Sequence, residues 1–177
     1  MNQQNIDLGQ YYGAQQNTNM KLVSKKEYLF IDSRYVTHQI SGNVDFIVQF
    51  NTNTPNQSSF PVFRNVASVE LKGISGNFNN EDYIILDIPE LNNRLKSNVP
   101  SVNQCFCTIF CEDNKPYIKG SDFDHKIVYF NPPLSQLSQL HVKLKRVNGT
   151  SDNNILIDDM RFVSMIFEVT TIHNTIY

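Results

Sequence analysis

From Glu27 onward the dominant period of the apolar side chains is two, a period that admits little except β-structure. In Val44-Asp45-Phe46-Ile47-Val48-Gln49-Phe50 every even position is apolar, while Asp45 and Gln49 fall on the other face. That is the pattern of a half-buried antiparallel strand. Leu140, Val142 and Leu144 alternate with His141, Lys143 and Lys145, and Val163, Met165, Phe167 and Val169 share one side of a further strand over 161–171. Ala67, Val69 and Leu71 read as inward, with Gly73 and Gly76 allowing a bend or bulge after them.

Four shorter stretches complete the set. Tyr28-Leu29-Phe30-Ile31 is an apolar run ended by Asp32-Ser33-Arg34. Ile84, Leu86 and Ile88 mark a strand closed by Pro89, after which Leu91 and Leu95, four apart, suggest a short helix over 90–97. Residues 104–111 alternate Cys105, Cys107, Ile109 and Cys111 with Phe106, Thr108 and Phe110, so both faces read as covered. Residues 126–130 form a compact strand that Asn131-Pro132-Pro133 stops, and Asn148-Gly149 reads as a turn.

Eight strands joined by loops rich in Asn, Ser, Gly and Pro, with no long amphipathic helix among them, fit two packed antiparallel sheets. Long loops between several strands suit a single eight-stranded jelly roll better than a meander barrel. Residues 27–177 form this one domain. Residues 1–26 read as a flexible arm, polar and without a sustained period, either plainly disordered or ordering on a partner through Tyr11 and Tyr12.

A chain of 177 residues buries enough surface to need no disulfide or metal staple. Its net charge of −2 gives no reason to expect a nucleic acid partner. No apolar run reaches the length of a membrane helix, and residues 1–19 lack the apolar stretch of a signal peptide. Three clustered cysteines are not a disulfide framework, and the expected folding compartment is reducing and intracellular.

Candidate chemistry is sparse. Cys105, Cys107 and Cys111 would share one strand face, but zinc sites draw on turns with paired ligands and a fourth donor, so core packing is the reading. Asp122-Phe123-Asp124-His125 brings two carboxylates and an imidazole together, yet a polar loop before a strand accounts for it. Asp158-Asp159 lacks calcium-loop spacing. His38, His125, His141 and His173 are scattered and read as solvated. Asn56-Gln57-Ser58 and Asn148-Gly149-Thr150 match the glycosylation acceptor but read as ordinary loop sequence. No catalytic, cofactor-binding or metal-ligating residue is assigned, and an enzyme is not expected.

Several segments resemble a family, in order over residues 27–170. Leu29-Phe30-Ile31-Asp32-Ser33-Arg34 is similar to its opening strand and turn, and Arg64-Asn65-Val66-Ala67-Ser68-Val69-Glu70-Leu71 to a later strand. Tyr83-Ile84-Ile85-Leu86-Asp87-Ile88-Pro89-Glu90-Leu91 resembles its strand ending in Ile-Pro-Glu-Leu, and Phe130-Asn131-Pro132-Pro133-Leu134 a subsequent turn. The set resembles the single jelly-roll penton and minor capsid proteins of nucleocytoplasmic large DNA viruses and their relatives. The resemblance implies a structural capsid protein of the virion, most readily a homopentamer at the fivefold vertex, in contact with major and minor capsid proteins. A minor capsid or cement protein is the alternative within that class. A β-sandwich module recognising a carbohydrate or receptor is the alternative outside it, with Phe78, Tyr117 and Phe123 as its loop aromatics. Arg34, with its planar fork, is suited to tying a loop through carbonyls or a carboxylate.

Overall fold

The computed structural model describes residues 20–36, 38–39, 44–51, 61–76, 78, 82–91, 105–111, 117–119, 123–124, 126–148, 151–154 and 162–176. Their period-two sequences form two antiparallel sheets packed face to face, an all-β sandwich. In the first sheet, β1 (Met20–Asp32) pairs along its whole length with β12 (Ser164–Ile176), Met20 opposite Ile176 and Asp32 opposite Ser164. The other side of β12 pairs with β4 (Phe63–Ser75). The far side of β4 takes β9 (Ile127–Leu137) and β7 (Tyr117–Lys119) at different points along its length.

The second sheet runs in the order β2 (His38–Gln39), β3 (Asp45–Gln49), β10 (Gln139–Asn148), β5 (Tyr83–Asp87), β6 (Cys107–Phe110), β8 (Phe123–Asp124). A short β11 (Ser151–Asn154) folds back on β10, with Asn148 opposite Ser151.

The core is the set of inward alternates from both sheets. Phe46 and Val48 of β3, Leu140, Val142 and Leu144 of β10, and Met165, Phe167 and Val169 of β12 are all buried. Phe167 meets Phe106 across the sandwich with ring centroids 6.2 Å apart. Burying each such ring contributes about 1.5–3 kcal/mol.

The structure departs from the sequence reading where the backbone breaks its period. The first strand starts at Met20, so residues 20–26 belong to the sheet and not to an arm; residues 1–19 lie outside the described residues. In β4 the partners of β12 skip Ala67 and Lys72, two bulges that turn Val66 and Ile74 into the core and leave Ala67 half-buried. β9 is not stopped by Asn131-Pro132-Pro133. Tyr129 pairs with Ser68 and Leu134 with Val66, so the residues between them loop out of the ladder where a missing N–H costs nothing. Phe110 is 56% exposed, so the outward face of β6 is not covered. Of the expected helix over 90–97, Pro89–Leu91 is a single 3-10 turn and 92–97 lie outside the described residues.

Candidate interaction surfaces

Three polar arrangements organise the surface. The first lies on the outward face of the first sheet. Glu168, on the central strand β12, is only 6% exposed although it points away from the core. It is roofed by long side chains from both neighbouring strands: Lys26 Nζ lies 2.7 Å from Oε1, Lys72 Nζ 4.0 Å from Oε2, and the Tyr28 hydroxyl donates to Oε2 at 3.0 Å. The hydrogen bond from Lys26 holds the Glu168 carboxyl below its ordinary range, and Glu168 in turn raises Lys26. Lys72 and Lys126 also flank Glu70, at 3.2 and 3.8 Å. Around this cluster Tyr28, Phe30 and Tyr129 stand exposed.

The second arrangement is the corner where β1 ends and β12 begins. Asp32 accepts from the Arg34 backbone N–H at 3.0 Å and from Arg34 Nε and Nη2 at 2.9 and 2.6 Å, and Ser164 Oγ donates to it at 3.1 Å. The Arg34 fork thus does tie a turn, through a carboxylate. The same guanidinium lies 4.6 Å from the Phe162 ring centre. Ser33 and Val163 lock the two chain segments together, the Ser33 N–H donating to the Val163 carbonyl at 2.9 Å and the Val163 N–H to Ser33 Oγ at 3.0 Å. Arg34 holds Asp32 below the ordinary carboxylate range.

The third is on the outward face of the second sheet. His141 is not merely solvated: its Nε2 lies 2.6 Å from Oδ1 of buried Asp45. Lys145 pairs with Asp87 at 2.8 Å. The Ile-Pro-Glu-Leu segment has a specific job here. Ile88 and Leu91 anchor in the core, and Glu90 accepts from the His141 N–H at 2.9 Å and from Gln139 Nε2 at 3.0 Å. The carboxylate continues the bonding of β10 beyond the end of β5, whose pairing covers only Lys143–Lys145.

Of the remaining sequence candidates, Cys105 and Cys107 are buried and Cys111 is half-buried, none of the three in a disulfide. Burial pushes the Cys107 thiol well above its ordinary value and Cys105 upward. Phe123 and Asp124 form a two-residue edge strand on β6, while Asp122, His125, Asp158 and Asp159 lie outside the described residues, as does the acceptor sequence at Asn56. His38 is on β2, and His173 meets Thr171 Oγ1 at 2.9 Å. Phe78 is 3% exposed, a core residue and not a loop aromatic open to a ligand. Among the described residues no three His, Cys, Asp or Glu converge as metal ligands, and no helix is long and apolar enough to cross a membrane. The Glu168 cluster escaped the sequence reading because its burial comes from strands distant in sequence; alternation places Glu168 on the outward face and says nothing of what covers it. No family model and no curated protein matches the chain.

Proposed function

We propose that the sandwich is a single jelly roll and that the chain is a non-enzymatic structural subunit of an icosahedral viral capsid, seated as a homopentamer at the fivefold vertex. The observation that carries this reading is the strand pairing. Counting β1, β3, β4, β5, β6, β9, β10 and β12 as the eight principal strands, first pairs with eighth, second with seventh, third with sixth and fourth with fifth. One long hairpin rolled up on itself gives that set, and the rolled hairpin is the jelly roll. The ordered resemblance to capsid segments adds support. So does the use of the acidic side chains, since Asp32, Asp45, Asp87 and Glu168 are each held by a neighbouring side chain that fixes the fold.

A ring needs two different flanks on each subunit. The flanks expected from the sequence are 51–59, 112–121 and the outward face carrying His141, Lys143 and Lys145; of the first two only Asn51 and β7 (Tyr117–Lys119) are among the described residues, and contacts to major and minor capsid proteins follow from that seat in the virion. A second reading, a minor capsid protein lying between vertices, is favoured by the long edge of β1, which suits lateral contacts. Native mass spectrometry over a range of concentrations, paired with an electron-microscopy map of the particle, is the test. A pentamer located on the fivefold axis is expected; the chain found away from every such axis overturns the vertex seat.

A further inference from the structure

Among the described residues the outer edge of β1 is the longest strand edge left unpaired, and what guards it is charge alone, that of Lys21, Lys25 and Lys26. Among the described residues nothing pairs with it along its 13 residues, and it contains neither proline nor bulge. The opposite edge of the same sheet is β9, interrupted by Pro132 and Pro133, and both edges of the second sheet are strands of two residues. A long, uninterrupted edge is a template for another strand wherever its lysines meet opposite charges.

β1 also overhangs its own sheet. The pairing of β12 with β4 ends at Thr171 opposite Val66, next to Asn65 with its φ of 52°, and the remaining residues of β4 pair with β9 alone. Beyond that point Met20–Ser24 and their partners on β12 form a ribbon of two strands, an arrangement marginal in water by itself. The ribbon carries Leu22, 64% exposed, and Val23, 38% exposed.

We propose that the β1 edge pairs with the β1 edge of a second copy of this chain, antiparallel and two-fold symmetric about Lys26. The register that uses the whole strand is centred there, because equal lengths of β1 stand on either side of Lys26. In that register Lys25 stands opposite the partner's Glu27, and Glu27 opposite the partner's Lys25. The 3.0 Å Lys25–Glu27 contact within one chain is thereby matched by two cross-copy contacts of opposite charge. Leu22 falls opposite the partner's Phe30 on the outward face, and Val23 beside the partner's Leu29 on the inward side. The exposed overhang of each copy therefore lies along the part of the other copy where the sandwich has its full depth. The central meeting of Lys26 with the partner's Lys26 is offset by Glu168, which already sits 2.7 Å from each ammonium.

This contact follows from the sheet edge alone and does not rest on the capsid reading; a ring built through strand-end loops leaves β1 open to a copy outside it. Residues directly opposite in an antiparallel pair have Cα atoms about 4.5–5.5 Å apart, within the span a disulfide bridges. Lys26→Cys, concentrated and mildly oxidised, is expected to give a covalent species of twice the 20.4 kDa chain mass. Ser24→Cys, about 13 Å from its own symmetry mate, is expected to give none and controls for the native thiols. Adding Lys25→Glu to Lys26→Cys puts like charges opposite each other and lowers the crosslinked yield several-fold, and adding Glu27→Lys as well restores it. Crosslinking of Lys26→Cys no greater than that of Ser24→Cys, with both variants folded by circular dichroism, overturns the proposal whether or not the protein forms rings. Crosslinking without any fivefold assembly upholds it while removing the vertex seat.

Discussion

Glu168 and Lys26 meet at 2.7 Å on the outward face of the first sheet, and the carboxylate is almost fully covered while the lysine that covers it is exposed. An acidic group in the middle of a sheet face is thus screened from water by its own counter-charge. The two strands it joins are the first and last of the fold, so the contact fastens one end of the described chain to the other.

Glu168→Gln keeps the shape and removes the charge. Expected is a loss of about 1 kcal/mol, the size of a charge-assisted bond discounted for its nearness to solvent. Tyr28→Phe, which removes only the hydroxyl donor, should cost about half as much. Urea unfolding of the two variants checks both values.

Stability should fall in acid in a defined way. Glu168 and Asp32 both titrate below the ordinary carboxylate range when folded. Their contribution is therefore complete above the unfolded carboxylate range and disappears as pH drops through the lowered folded values. Melting curves of wild type and Glu168→Gln should differ most at neutral pH and converge in acid. A gap that widens in acid would contradict the assigned sign.

Asp32→Asn should be the more damaging change at the corner, by about 1–2 kcal/mol, because it loosens Arg34 and the Ser164 hydroxyl together. Arg34→Ala should lower stability less than Asp32→Asn does, since the corner keeps the Ser33–Val163 bonds. Differential scanning calorimetry of the pair decides this.

Thiol labelling of the native protein should proceed in order, Cys111 first and Cys107 last. Cys107 is fully buried and its thiolate strongly disfavoured, whereas Cys111 is half-buried at the end of β6. Mass spectrometry of the labelled peptides reads the order directly.

Removing residues 1–26 should lower the melting temperature by roughly 5 °C, because it strips half of the ladder between β1 and β12 and the Lys26 roof over Glu168. An unchanged melting temperature would mean that the overhanging ribbon contributes nothing to the folded subunit.

Strands whose alternation runs unbroken were legible in the sequence: β3, β10 and β12 show their buried faces as plainly in the residues as in the structure. β4 was legible only in part, since each bulge shifts the inward set by one and moves Ala67 out and Val66 in. The continuation of β9 was hidden by prolines that an interior strand would not tolerate, and only its pairing with β4 alone reveals that β9 is an edge. β11, made of Ser151-Asp152-Asn153-Asn154, has no apolar residue to announce it; it exists because β10 extends beyond its other neighbours. The Asp45–His141 and Glu90–His141 contacts depend on register between strands 50 to 100 residues apart, which periodicity does not encode.

The nesting of the strand pairs also sets a time order. The innermost pair, β5 with β6, closes the shortest loop, whereas Tyr28 and Glu168 are separated by 140 positions. Loop closure over such distances must precede the contacts that reward it, so this topology belongs among slow folders, on the millisecond-to-second scale. During synthesis β1 emerges early and waits without a neighbour until β12 has left the ribosome. Throughout that interval both edges of β1 are open, which makes nascent chains crowded on one message the species most exposed to mispairing.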